Sequence, residues 1–245
     1  MKDRFSNRAK QYASFRPTYP PELYDFIFSH VNHFEVAWDA GTGNGQVAAD
    51  LAKRFKKVLA TDISAKQLEN ARQAKNVFYS KAGEVTDIPG QSVDLVTVGQ
   101  AIHWFDGEKF YQEVKRVAKP EALIAVWGYG LLSIHPEIDA HLKHFYTQVV
   151  GPYWDKERKL IDEHYHTLSF PFEEIKTPSF QFSFEWSLAE MRGYLGTWSS
   201  VQKYIQANGI NPVDDCIKKI QPLWSTERQT INFPLFLRLG RVGIR

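Results

Sequence analysis

The chain has 245 residues, 43% of them hydrophobic, seven Trp and a formal net charge of +2. That is enough for one large or two small domains with a full core. The balance leaves no basic stripe of the kind a nucleic-acid surface needs, the densest cluster being Lys53, Arg54, Lys56 and Lys57, and the single Cys216 excludes an internal disulfide.

At the start of the chain, Lys2, Asp3, Arg4, Arg8 and Lys10 are too charged for a signal peptide. The longest apolar run, Ala122 to Ile134, is too short and too glycine-broken to cross a bilayer. The expectation is a soluble cytoplasmic protein. Residues 4–24 predict a short amphipathic helix to about Ser14, after which Pro17, Pro20 and Pro21 force an extended passage into a second helix. Phe5, Tyr12, Phe15 and Tyr19 alternate there with Arg4, Arg8 and Arg16. Two readings stand: an arm that buries its rings on the domain, or a lid in which Arg16 pairs a ligand carboxylate bidentately.

The run Phe34, Val36, Ala37 and Trp38 suits a strand buried on both faces. It breaks into Gly41, Gly43 and Gly45, and a helix is predicted over Val47–Phe55. Strand, glycine turn and helix let a ligand lie against bare backbone. A dinucleotide fingerprint, Gly-x-Gly-x-x-Gly, would put its third glycine where Gln46 stands. A second buried strand, Val58–Ile63, ends in Asp62, 21 residues after Gly41, the distance at which an acid reaches a ribose hydroxyl. The alternative is that Asp62 or Ser64 caps a helix over Ser64–Ala74.

A third strand, Val77–Ser80, leads into Lys81-Ala82-Gly83-Glu84. The fourth, Val93–Gly99, runs into Gln100-Ala101-Ile102-His103-Trp104-Phe105-Asp106. A helix over Glu108–Ala118, a break at Lys119-Pro120 and a fifth strand over Ala122–Tyr129 follow. Beyond Pro136 the composition turns aromatic and His-rich, with helices expected at 137–150, 188–208 and 213–223. Strands are expected over Gln181–Trp186 and Gln229–Leu239, and 151–178 reads as irregular. Glu137, His141 and His144 share one helix face and His164 and His166 follow, but nothing forces them together; no metal site is expected.

Asp39-x-Gly41-x-Gly43-x-Gly45 resembles the first signature of the class I methyltransferases, which bind S-adenosylmethionine. Tyr12-x-x-x-Arg16-Pro17-x-Tyr19-Pro20 and Gln100-Ala101-x-His103-Trp104-Phe105 resemble the small-molecule branch that includes the trans-aconitate methyltransferases and their fungal relatives. The resemblance implies an α/β, Rossmann-like, seven-stranded mostly parallel sheet with helices on both faces and a helical, aromatic cap inserted after the fifth strand. It implies a lid or arm over 1–30, a cofactor-binding core over 31–130, a substrate cap over 131–225 and a returning strand over 226–245. It implies S-adenosylmethionine held by Arg16, Asp39 (toward the ammonium), Gly41, Gly43, Gly45, Asp62, Ile63, Ala82, Gly83, Glu84 and Gln100. Ala82 stands where the family usually has an acid bordering the adenine, and Glu121-Ala122 stand where it usually has two glycines.

The loops of nucleic-acid amino-methylating and protein arginine methyltransferases are missing after the fourth strand. The implied reaction is methyl transfer to a small molecule, a carboxylate oxygen leading, with S-adenosylhomocysteine as product and no nucleic-acid or membrane partner. Tyr12, Tyr19, His103 and Trp104 are the expected substrate contacts, the three aromatics doubling as cation–π faces for a sulfonium or as core. His103 is base, orienting donor or structural residue. An NAD(P)-dependent oxidoreductase and a cofactor-binding protein without catalysis are the rivals. Oligomeric state is not legible.

Overall fold

The apolar runs at 37–40, 93–98 and 122–129 become strands covered on both faces. The computed structural model describes residues 17–243. Val36–Ala40 (β1), Lys57–Asp62 (β2), Val77–Lys81 (β3), Val93–Gly99 (β4) and Ala118–Tyr129 (β5) form the parallel part of one sheet. Alternation along each strand divides its apolar side chains between two cores. Ala37, Leu95 and Leu123 face one way, against Leu23 and Ile27 of α1 (Pro21–Phe28) and Val47 and Leu51 of α2 (Gln46–Leu51). Trp38, Val96 and Ile124 face the other way, against Phe110, Val114 and Val117 of α4 (Gly107–Val117). α3 (Ala65–Glu69) links β2 to β3, its Ser64 cap accepting the Gln67 N–H.

The sheet runs β3-β2-β1-β4-β5-β8-β6, with β8 (Gln229–Arg241) antiparallel to β5. β6 (Glu173–Ile175) and β7 (Phe180–Trp186) both pair antiparallel with β8. The sheet therefore has eight strands, not the expected seven. The reason is a local break: between Ile175↔Leu239 and Phe180↔Leu235 the outer chain uses one residue more than β8 does. Pro178 lies in that break, where a missing N–H costs the ladder nothing.

α5 (Pro136–His144), α7 (Leu188–Gly196), α8 (Ser199–Asn208) and α9 (Val213–Ile220) extend the first core through Ile138, Leu142, Met191, Leu195, Val201 and Ile220. The short α6 (Arg158–Asp162) and the loop after it join the second core through Ile161 and Tyr165. The stretch 131–225 is thus divided: helices that cover the sheet's end, and β6 and β7 that belong to the sheet.

Several element ends differ from expectation. α2 stops at Leu51 and α3 at Glu69, both short of the sequence pattern; Phe55 still reaches the core from beyond the helix. β5 begins at Ala118, so Lys119-Pro120 is no break; a register shift between Val93 and Leu95 accommodates it. Glu121 takes φ 65, the conformation that glycine would adopt at lower cost. No helix among the described residues is long and apolar enough to cross a membrane.

Candidate active site

The strand order reverses direction between β1 and β4, and the carboxyl ends of the strands meet at that point, which is where open α/β sheets bind ligands. The glycine turn sits there. Gly41, Gly43 and Gly45 all have positive φ (69, 55 and 74), so each has a backbone reason to be glycine. Their surroundings differ. A Cβ on Gly41 would lie 2.7 Å from Ala101 Cβ, and one on Gly45 would lie 2.2 Å from the Tyr79 hydroxyl. Among the described residues a Cβ on Gly43 would meet nothing within 4 Å, nor would one on Gly83, so at both positions bare backbone borders open space there.

Two acids hold this turn in different ways. Asp62 Oδ2 accepts the Gly43 N–H at 2.9 Å and Oδ1 accepts the Ser64 N–H at 2.8 Å. Asp62 therefore both braces the turn and caps toward α3. Asp39 is 1% exposed and lies beneath the turn. Its Oδ2 accepts from Thr42 Oγ1 at 2.5 Å and its Oδ1 from Thr97 Oγ1 at 2.8 Å, tying the turn to β4. Burial pushes its carboxyl up to about 7, against the lowering effect of the two hydroxyls. With both oxygens engaged by the hydroxyls of Thr42 and Thr97, Asp39 braces the loop, and its expected contact to an ammonium stands as a proposal. Ala82 N donates to Asp62 O at 3.1 Å, Glu84 Oε1 accepts the Asp106 N–H at 3.0 Å, and half-buried Ile63 follows Asp62. Gly83 and Glu84 thus border the same end of the sheet.

Gln100 has φ 55, a strained value for a side chain of its size. Its amide is used to clasp the end of β5, Oε1 accepting the Tyr129 N–H at 2.8 Å. The next turn, Ile102–Trp104, presents His103 and Trp104 to a pocket of about 590 Å³ of open space, part of it continuous with solvent. Across it stand Trp154, Arg158, Tyr194 and Trp198 from the cap. His103 is 6% exposed and its Nδ1 lies 2.9 Å from the Tyr165 hydroxyl. Tyr165 is fully buried, burial pushes its phenol well above the usual range, and it and His164 have φ 60 and 52. Arg238 fastens this strained loop by donating to Tyr165 O at 3.0 Å and pairing bidentately with Glu174, whose carboxyl it holds below the usual range.

The sequence singled out His103, Trp104 and Gln100, and the structure brings these three to one pocket. Tyr19 is elsewhere: its ring packs edge-on to Trp127 at 5.4 Å and stands 6.4 Å from Tyr129, behind the pocket wall. Tyr12 and Arg16 lie outside the described residues. Tyr165, Arg158, Trp154 and Trp198 were missed, because the cap's wealth of aromatics carries no spacing that singles out any of them. Among the described residues no group of three or more His, Cys, Asp or Glu side chains is placed to hold a metal.

Residues 38–126 match the methyltransferase domain family. A methyltransferase-family protein of Dictyostelium discoideum is 36% identical over 98% of this chain and 95% of its own length. The chain belongs to the class I methyltransferases. The family reaction is methyl transfer, so the oxidoreductase rival falls. A protein of Anaeromyxobacter dehalogenans assigned as a type II methyltransferase has a solved structure that superposes on this methyltransferase with TM-score 0.87, at 34% identity, over 94% of this chain and all of that one. An N-methyltransferase of Haemonchus contortus, solved with phosphomonomethylethanolamine and S-adenosylhomocysteine, shares the fold alone (16% identity, TM-score 0.50, 98% of this chain and 58% of that one).

Proposed function

We propose that this methyltransferase transfers a methyl group from S-adenosylmethionine to an oxygen of a small organic acid, the carboxylate being the leading acceptor. The observation that carries the reading is the open backbone at Gly43, held by Asp62, beside the His103–Trp104 turn. The cofactor fits the residues present: Gly43 and Gly83 leave room for it among the described residues, and Asp62 stands at the end of β2, 21 residues after Gly41, where an acid can reach a ribose hydroxyl. Gly41, Gly45, Ile63, Ala82, Glu84 and Gln100 shape the cradle, and Arg16 remains a proposed contact to its carboxylate. When bound, S-adenosylmethionine supplies an electrophilic methyl on a sulfonium sulfur. The protein's own work is then to align the acceptor and keep water out. The resemblance of the 100–105 motif to the small-molecule branch supports a metabolite as acceptor.

His103 acts as a hydrogen-bond donor that orients the acceptor. The buried Tyr165 hydroxyl has Nδ1 as its hydrogen-bond partner and must give its proton to it. Nδ1 therefore accepts, and the ring proton sits on Nε2. A carboxylate needs no base, which suits a donor at this position. Tyr165→Phe should lower kcat about 10- to 100-fold while leaving S-adenosylhomocysteine affinity within a factor of about three, because it frees the ring without touching the glycine turn. Long-range ¹H–¹⁵N spectra of the imidazole should report the Nε2–H tautomer in the wild type and a mixture in the variant. A wild-type Nδ1–H tautomer would sink the donor assignment.

The reading as a whole is tested by calorimetry with S-adenosylmethionine and its product, then by a labelled methyl donor offered with a panel of carboxylic acids. Uptake without transfer to any acid would remove the carboxylate and favour a cofactor-binding protein without catalysis. No uptake at millimolar ligand would remove the cofactor.

A further inference from the structure

The pocket wall opposite His103 carries a cation whose charge the fold leaves half used. Arg158 opens α6 and its side chain is 19% exposed. Its Nε donates to the Tyr146 hydroxyl at 2.7 Å. Asp162 is its acidic neighbour, 3.6 Å from Nε, itself 46% exposed and already accepting from Tyr146. The guanidinium lies over the Trp154 ring at 4.7 Å and the Tyr146 ring at 5.3 Å, which fixes its plane. Its two Nη groups have no hydrogen-bond partner among the described residues, although Arg158 lines the pocket. The acid that shares the wall, Asp155, is matched by Lys203 at 2.7 Å.

A guanidinium clamped on its Nε side and stacked on an indole presents the Nη pair as a ready fork for a planar anion. Those N–H groups face a pocket that is partly open to solvent, where an anion can take the place of water as their partner. The remaining walls are flat rings: Trp104, Tyr129 and Trp198.

We infer that Arg158 and Trp154 form an anion subsite of the acceptor pocket, so that the acceptor carries a carboxylate or similar planar anion on a flat body, apart from the atom that is methylated. The inference rests on the reading of this pocket as the acceptor site. The two groups are distinct because a carboxylate paired bidentately with a guanidinium is the weaker nucleophile, its charge offset by the cation and its orientation fixed toward Arg158. The gripped anion sets position and selects the substrate; the reacting oxygen lies toward His103.

The test uses the full chain saturated with S-adenosylhomocysteine and two probes of equal shape, benzoate and benzamide, followed by calorimetry. Benzoate should bind at least about tenfold tighter than benzamide, the difference expected for hydrogen bonds to a charged partner. Arg158→Gln should abolish the preference and Arg158→Lys should keep part of it, with melting curves confirming that both variants fold. Equal binding of the two probes by the wild type would overturn the subsite, as would a preference surviving in folded Arg158→Gln or failure of benzoate to bind. Failure of S-adenosylhomocysteine uptake with the benzoate preference intact would instead overturn the cofactor reading and leave the subsite standing.

Discussion

Replacing Asp39 by Asn is expected to make the protein's stability curve flatter with pH and to raise it at pH 8 by up to about 4 kcal/mol. The carboxyl titrates at about 7 in the folded chain, against 3.8 for the ordinary group, with burial as the first cause. A raised folded value means the folded state holds a proton that the unfolded chain has released. The stabilisation is complete below about pH 4, falls as pH rises from there to about 7, and is constant above. About three pH units at 1.36 kcal/mol each give the magnitude. An amide is neutral throughout and can accept from one threonine hydroxyl while donating to the other, so the loop strut survives. Denaturant unfolding of both proteins from pH 4.5 to 8.5 measures it, the difference between them removing the other carboxylates. A constant difference would refute the buried-acid assignment. The same variant discriminates roles: S-adenosylhomocysteine affinity within a few-fold supports the strut, whereas a loss of a hundredfold or more restores the ammonium contact.

Two alanine substitutions in one turn should separate binding from folding. Gly45→Ala is expected to destabilise the protein by roughly 2–5 kcal/mol, since the left-handed backbone costs about 1–2 and overpacking about 1–3. The new Cβ would lie 2.2 Å from the Tyr79 oxygen, and that hydroxyl is pinned to Arg72 O at 2.5 Å, so the ring has little room to yield. A chain of this size should then melt about 10 °C lower. Gly43→Ala should cost only about 1–2 kcal/mol, because nothing among the described residues lies within 4 Å of the new methyl. Its effect should appear in cofactor affinity, a tenfold or larger loss, because the methyl occupies the space reserved for the ligand. Calorimetry and melting on both variants decide it. Gly43→Ala binding as tightly as the wild type would place the ligand away from this turn.

These expectations draw unequally on sequence and structure. Val93–Gly99 was legible to the residue because a buried parallel strand needs an unbroken apolar run. The glycine turn was legible because positive φ at Gly41, Gly43 and Gly45 demands that residue type whatever surrounds it. Helix lengths were less so: Ala52–Phe55 and Asn70–Ala74 keep helical spacing, but tertiary packing ends α2 and α3 earlier.

The sequence by itself determined the class of fold, the glycine turn and the His103–Trp104 segment beside it, since each depends on local residue types and their spacing. Only the tertiary structure decided that Asp39 lies under the turn, that Tyr165 is a hydrogen-bond partner of His103 and that Arg158 lines the pocket from the cap. Those pairs stand 58, 62 and 55 residues apart (Asp39 from Thr97, His103 from Tyr165, His103 from Arg158). Contacts across such separations are made by strand order and core packing, which no local pattern encodes.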